Sequence, residues 1–455
     1  MALHRPHILA AALAAAAIAA SPAAAAPPDA LQGEQWAFSP QTVFDLPGAW
    51  GVSEGAGVVV AVVDSGMRLD HPDLAPNAWT NFAEVPGNGV DDDGNGYVDD
   101  VHGVDLTSRS SGQDLHDGLG HGTHVAGTIA AAANGRGVVG VAPKARLMTV
   151  KVLDDRGAGT TGAVAEGIRY AAANGARIIN LSLESGTDDP RVRAAVEAAA
   201  AANVLVVCSA GNSGENVDRT PVFPVSIPEP NVVGVAATEP ASGRTLPDFS
   251  NYGRLTVPLA APGADVISTS RTGGYEYKSG TSMAAPHVTG VAALMAAAAP
   301  SLSAAGLRAL LLQHAVRTSA PVGAGYVDAL GSVLAAGATL GGTLGEPPRV
   351  RVLSATRKRR GRRTVTQAQF AVSGAVRAVR RIVVRLGGRR VAGLRGGRAV
   401  YTVRLRGRGG RRLKVTALAG NGRALSVARA RVRAVRKGKH GVGRGGGVGG
   451  SVWAA

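Results

Sequence analysis

The chain has 455 residues, more than one ordinary domain needs, with 45% hydrophobic residues, 4% aromatics and a single cysteine, Cys208. One cysteine excludes an intrachain disulfide framework, and the few aromatics leave a core of small aliphatic side chains. The net charge of +17 hides a division: from Glu346 onward there are 30 Lys and Arg and one acid, a net of +29, while residues 1–345 keep 19 bases and 31 acids, a net of −12. An acidic body joined to a basic segment implies two modules with different partners.

In chain order, His4, Arg5 and His7 precede an apolar run from Ile8 to Ala20, followed by small residues to Ala26. This predicts a secretory signal at 1–26, removed on export to an extracellular location. The run is short for a membrane span, and no later stretch is expected to be transmembrane. The short stretch between Ala26 and Gly51 leaves no room for a folded prodomain. A secreted chain without disulfides calls for some other brace, often bound metal.

From 57 to 340 the apolar runs "GVVVAVVDSG", "LMTVKVLD", "RIINLSL", "NVLVVCSAGN" and "NVVGVAAT" read as buried strands, with alanine-rich helices expected at 124–133, 162–174 and 190–202. Buried strands separated by helices predict a parallel sheet covered on both faces. In such sheets the ligand cleft lies at the carboxyl ends of the strands, where Asp64 and Asn212 both sit. Domain boundaries are expected at 27–340 for this body and 341–348 for a linker. Residues 349–436 show period-2 alternation with glycine turns and predict a small all-β, sandwich-like domain. The glycine-rich segment 437–455 is expected to be unstructured.

The segment "HGTHVAG" sets His121 and His124 three apart, on one face of a helix. A zinc-protease helix would need histidines four apart with a glutamate between them. A nucleophile is found elsewhere: Ser282, in "SGTSMAAPHVTG", opens a long alanine-rich helix whose amino end favours negative charge. A serine hydroxyl needs a neutral imidazole to take its proton, and that imidazole needs a carboxylate to fix its tautomer. Asp64 in "AVVDSG" offers the carboxylate, and the amide of Asn212 in "SAGN" offers a donor for a developing oxyanion.

Taken singly these signals are weak, but "VVDSG", "HGTHVAGT", "AGN" and "GTSMAAPHV" in that order are specific. Over residues 34–337 the chain resembles the subtilisin-like serine proteases, the subtilases. The resemblance implies a three-layer α/β/α domain with a mostly parallel sheet, and an endopeptidase working through an acyl-enzyme. It also implies that Asp64 orients, His121 is the base, Ser282 attacks and Asn212 holds the oxyanion, with His124 and His287 left to structural roles. Ser182, Leu183 and Glu184 in "SLES", with Ala158 and Gly159 in "RGAG" and Gly211, resemble the family's substrate-binding walls, which pair with an extended polypeptide. Glu184 departs from the glycine usual there. With Glu215 and Asp218 nearby in sequence, it suggests an acidic pocket that accepts basic P1 residues.

Two calcium sites are expected. In "NGVDDDGNGYVDDVHG" Asp91, Asp93, Asn95, the Tyr97 carbonyl and Asp99 or Asp100 alternate around Gly96, like the first half of an EF-hand loop. His102 stands where that loop has its terminal glutamate, and Asp100 would substitute. The second site follows from the resemblance alone: Asp73, Asn134 and the carbonyls of Ala132, Arg136 and Val138, with Gln35 as a further ligand. The basic segment, with "RKRRGRR" at 357–363, predicts attachment to an anionic cell-envelope polymer. Its arginines lack interleaved aromatics for base stacking, so no specific nucleic acid is expected. The protein is read as a monomer.

Overall fold

The computed structural model describes residues 29–39, 44, 46–107, 113–240 and 245–338 with their side chains, and from residue 349 the backbone of a set of strands. The expected signal, the linker 341–348 and the glycine-rich tail apart from Val452–Trp453 lie outside the described residues.

The body runs α1 (Leu46–Ala49), β1 (Val59–Asp64), β2 (Gly103–Asp105), α2 (His121–Ala130), β3 (Arg146–Lys151), α3 (Thr161–Ala173), β4 (Ile178–Leu181), α4 (Pro190–Ala201), β5 (Leu205–Ser209), β6 (Val232–Thr238) and β7 (Leu259–Pro262). It continues through the antiparallel pair β8 (Val266–Thr269) and β9 (Tyr275–Lys278), then α5 (Thr281–Ala298), α6 (Ala304–His314), β10 (Gly325–Tyr326) and α7 (Ala329–Ala338). Eight strands form one parallel sheet in the order β10-β7-β6-β5-β4-β1-β3-β2. Strand order departs in opposite directions from β1, so a switch point for ligand binding lies at its carboxyl end, where Asp64 sits.

The apolar runs are continuous because both faces are covered. Along β1, Val60 and Val62 join a core with α2, α5, α6 and α7, whereas Ala61 and Val63 join a second core with α3 and α4. These are the three expected layers. Helix α5 is buried along nearly its whole length, as a helix apolar all round must be.

The helix expected at 124–133 starts earlier, at His121. Gly120 turns left-handed (φ 83°) just before it, and the free N–H groups of its first turn find side-chain acceptors: Gly122 N–H donates to Ser65 Oγ (3.0 Å) and Thr123 N–H to Asp117 (2.7 Å). Apolar periodicity cannot show such a start, because polar side chains outside the helix, one of them 57 residues away, supply the caps.

Beyond the body the backbone forms β11 (Arg349–Arg360), β12 (Arg363–Ser373), β13 (Arg381–Leu386), β14 (Arg389–Arg395), β15 (Val400–Arg406), β16 (Arg412–Leu418) and β17 (Ala424–Arg431). Their pairings β11–β12–β15 and β14–β13–β16–β17 are antiparallel.

Candidate active site and cation-binding loops

Asp64 ends β1 fully buried, and its Oδ1 accepts from the Ser65 N–H (2.8 Å) and faces His121 Nδ1 at 2.7 Å. Nδ1 thus carries a proton, and Nε2 is left to face the cleft. Close approach of α2 to β1 requires glycine at 122: a Cβ there would lie 2.2 Å from the Gly66 carbonyl oxygen. Burial by itself would lower the His121 pKa. Asp64, by charge and by hydrogen bond, with Asp117 behind it, turns the net shift upward.

Asp117 had no place in the sequence reading. It is fully buried and accepts from Ser65 Oγ (2.8 Å), Gly120 N–H (2.7 Å), Thr123 N–H (2.7 Å) and Thr123 Oγ1 (2.7 Å). It fastens the first turn of α2 to the residue after Asp64. The only sequence signal was its position one helical turn before His121.

Ser282 opens α5. Pro286, four residues on, has no N–H, so the Ser282 carbonyl lacks its helical donor and accepts from Ser182 Oγ instead (2.8 Å). The Ser282 hydroxyl donates to the Ser182 carbonyl (3.1 Å). Ser182 directly follows β4, and β4 pairs with β1 in the register Val62↔Asn180. Two residues further on, Asp64 and Ser182 stand level at the ends of neighbouring strands. The Asp64–His121 pair and the Ser182–Ser282 pair therefore share one edge of the sheet.

Asn212 follows β5. Its Oδ1 accepts from Thr281 N–H (2.8 Å) and Thr281 Oγ1 (3.1 Å), and Thr281 Oγ1 accepts from Gly211 N–H (3.0 Å). With its oxygen spent on Thr281, the amide leaves Nδ2 free to donate beside the amino end of α5. Thr281 is a second positioning residue that the sequence reading passed over.

The other two histidines near the motifs are buried against backbone and aromatic rings. His124 Nε2 faces the carbonyls of Val266 (3.0 Å) and Glu276 (3.2 Å), tying α2 to the β8–β9 pair, and burial lowers its pKa to about 3. His287 packs edge-on against Phe38 and Phe44, with burial lowering its pKa to about 4.

The expected substrate walls converge. Ala158, Gly159, Leu183 and Glu184 line one cavity of about 290 Å³, with Val164 and Phe223 among its apolar lining. The Phe223 side is held by paired bonds to Ser185, Ser185 N–H to Phe223 O and Phe223 N–H to Ser185 O, both 2.8 Å. Nothing in the sequence pointed to it. Glu184 Oε2 lies 2.1 Å from where a Cβ on Gly211 would stand, so the carboxylate packs against Gly211, whose left-handed backbone (φ 102°) favours glycine. Burial raises the Glu184 pKa, opposed by the Asn212 N–H. The other two suspected acids do not line that cavity: Asp218 caps the N–H groups of Leu255 (3.1 Å) and Thr256 (2.9 Å), and Glu215 lies exposed outside it.

In the acidic segment Asp93 and Asp100 come together with Glu84, which lies outside the expected motif. Asp91 spends both oxygens on the N–H groups of Gly94 (2.8 Å), Asn95 (3.1 Å) and Gly96 (2.8 Å). Asn95 Nδ2 donates to Asp93 (3.1 Å) and Asp100 (3.0 Å), and its Oδ1 accepts from Tyr97 N–H (2.9 Å). Tyr97 turns its hydroxyl to Glu166 on α3 (2.8 Å).

In the second loop Asp73 accepts from Asn134 Nδ2 (3.0 Å) and Val138 N–H (3.3 Å), and its carbonyl accepts from Ala132 N–H (2.8 Å). Asn134 Oδ1 accepts from Arg136 N–H (2.9 Å). The second carboxylate here is Asp29, which accepts from Asn134 N–H (3.0 Å) and Gly135 N–H (2.9 Å) and was not foreseen. Gln35 is spent on Val139, giving to its carbonyl (2.8 Å) and taking from its N–H (3.0 Å).

Comparison with known proteins adds a second line. A profile of the Subtilase family matches residues 55–344. Thermitase of Thermoactinomyces vulgaris is 38% identical over 283 residues, 62% of this chain and 89% of that protein. Subtilisin Savinase of Lederbergia lenta is 38% identical over 285 residues, 63% of this chain and 91% of that protein. A solved protease from Pseudoalteromonas arctica superposes with a TM-score of 0.58 at 33% identity, covering 69% of this chain and all of that one.

Proposed function

The chain belongs to the subtilase family and is a serine endopeptidase, and from that premise we propose that Asp64, His121 and Ser282 are its catalytic triad and Asn212 its oxyanion donor. The observation that carries this reading is the 2.7 Å contact of His121 Nδ1 with buried Asp64, at the sheet edge where Ser282 meets the end of β4.

The Ser282 hydroxyl leaves the Ser182 carbonyl, turns to His121 Nε2 and attacks the scissile carbonyl while the imidazole takes its proton. Asp64 holds the Nδ1 tautomer and stabilises the imidazolium. Asn212 Nδ2 and the Ser282 N–H receive the oxyanion; such donors contribute typically about 10²–10³ in turnover, a magnitude known from the relative subtilisin. His121 then protonates the leaving amine, and water repeats the cycle on the acyl-enzyme. Ser182–Glu184 and Ala158–Gly159 hold the polypeptide extended, and Glu184 favours a cationic P1 side chain.

We read the protein as secreted, in keeping with its leader-like amino terminus; no helix among the described residues is long and apolar enough to cross a membrane. Calcium is the structural cofactor of this reading, and the residues fit it: Glu84, Asp93 and Asp100 bring hard carboxylate oxygens together in one loop, and Asp73 and Asp29 both meet Asn134 in the other. The domain division at 341–348 and a tether to an anionic envelope polymer rest on the charge of the carboxyl-terminal segment. Labelling with a serine-directed phosphonate, followed by peptide mapping, tests the catalytic reading. The adduct is expected on Ser282, and Ser282→Ala should hydrolyse no casein. An adduct elsewhere, or casein hydrolysis by that variant, overturns it.

A further inference from the structure

We infer that Glu84, Asp93 and Asp100 form one binding site for a hard divalent cation, with Glu84 supplied from outside the acidic motif. The inference rests on the calcium reading above for the ion and adds to it the ligand set. One oxygen from each of the three residues lies within 4.8 Å of the others. An ion between three such oxygens lies at most about 2.8 Å from each, so a shift of a few tenths of an ångström brings all three to the usual Ca–O distance of roughly 2.3–2.6 Å.

Glu84 points to a ligand independently of the clustering. It is 5% exposed, and its Oε2 has no hydrogen-bond partner. Its Oε1 is engaged by the N–H groups of Asp92 (2.9 Å) and Asp93 (3.2 Å), which fix the carboxylate in place. A carboxylate so buried needs a counter-charge. Among the described residues no Lys, Arg or His forms an ion pair with any of the three.

The remaining oxygens are oriented by neutral donors. Asn81 Nδ2 donates to Asp93 (2.9 Å) and Asp100 (3.0 Å), and the Tyr170 hydroxyl donates to Asp100 (2.5 Å). Neutral donors aim carboxylates without cancelling their charge, as groups behind a metal site do. Tyr170 also places the site in the fold. It lies on α3, whose first turn contributes Thr161 and Val164 to the cleft, so the ion would fasten the 81–100 segment to the helix that walls the substrate cavity.

The test is equilibrium dialysis of calcium on the chelator-treated full chain carrying Ser282→Ala, which prevents self-digestion. Glu84→Gln is expected to bind one ion fewer per chain than the parent, and Asp93→Asn, at an exposed position, the same. Asp92→Asn removes a charge from the same segment outside the cluster and should bind as the parent does. Equal stoichiometry in the parent and Asp93→Asn overturns the ligand set even if Glu84→Gln does not fold, and leaves the calcium reading standing. Loss of the ion in Asp92→Asn as well reduces the site to diffuse charge and also overturns it. A parent that binds no calcium overturns both the site and the calcium reading, while phosphonate labelling of Ser282 still decides catalysis.

Discussion

The edge of β1 and the 81–100 segment both bury carboxylates, and they answer the charge differently. At the edge of β1, Asp64 has an imidazole at 2.7 Å that can become an imidazolium, and Asp117 accepts four hydrogen bonds from neighbours that belong to the fold. Each region leaves one buried carboxylate oxygen without a partner, Asp64 Oδ2 and Glu84 Oε2, but among the described residues no Lys, Arg or His pairs with Glu84. The first region has a side chain of its own that can carry the matching positive charge; for the second we propose that an added cation supplies it. Buried charge is costly unless matched, so the sign of what is absent from a carboxylate's surroundings indicates what binds there.

The sharpest way to break the first half of this contrast is Asp64→Asn. It keeps the shape and removes the charge that matches the imidazolium. Turnover should fall by about 10⁴, with the phosphonate labelling rate falling in parallel. A loss below about tenfold would mean that the imidazole does not depend on this carboxylate.

The second half is broken by chelation. If calcium at a hundred times its dissociation constant stabilises only the folded form, removing it costs about 2.7 kcal/mol. For a body of this size that is a fall of several degrees in Tm, read by calorimetry on the Ser282→Ala chain. The contrast predicts that chelation leaves the phosphonate labelling rate of the intact enzyme nearly unchanged below the melting range, because the edge of β1 needs no added cation.

Asp117→Asn sharpens the comparison within the first region. Asp117 helps to raise the His121 pKa, so replacing its charge should lower that pKa. The base must be neutral to act. A raised pKa puts the acid limb of kcat/KM above the ordinary histidine range, and the variant's limb should move to lower pH. The plateau should fall about tenfold, as one charge-assisted hydrogen bond is weakened. A purely structural role would lower the plateau and leave the limb in place.

These regions also differ in how far the sequence disclosed them. The three layers and the parallel sheet were legible because strands buried on both faces are continuous apolar runs, and the proposed site residues Asp64, His121, Ser282 and Asn212 stand out because four short motifs come in a fixed order. Asp117, Thr281 and Pro286 lie within or beside those motifs, yet their work depends on partners 52 to 104 residues away or on a missing N–H, which a local pattern does not display. Glu84 and Asp29 were invisible for the same reason. The acidic run drew attention to alternating oxygens, whereas the chain folds back to bring a carboxylate from before the run.

The smallest effect extends the comparison to a third acid. Glu184 sets its carboxylate against Gly211 beside the cavity and pairs with no cation among the described residues, so the cation that matches it is expected on the substrate. It is exposed enough for solvent to screen it, and an ion pair of that kind contributes about 0.2–1 kcal/mol. Peptide substrates with Arg at P1 should therefore be preferred over Leu by no more than about fivefold, and Glu184→Gln should abolish the difference. Burial raises the Glu184 pKa. The carboxylate, and with it the preference, should be lost on acidification at a pH above the ordinary glutamate range. An Arg-to-Leu ratio that is the same in the variant and flat with pH would mean that this carboxylate, like that of Asp218, serves the fold and never meets the substrate.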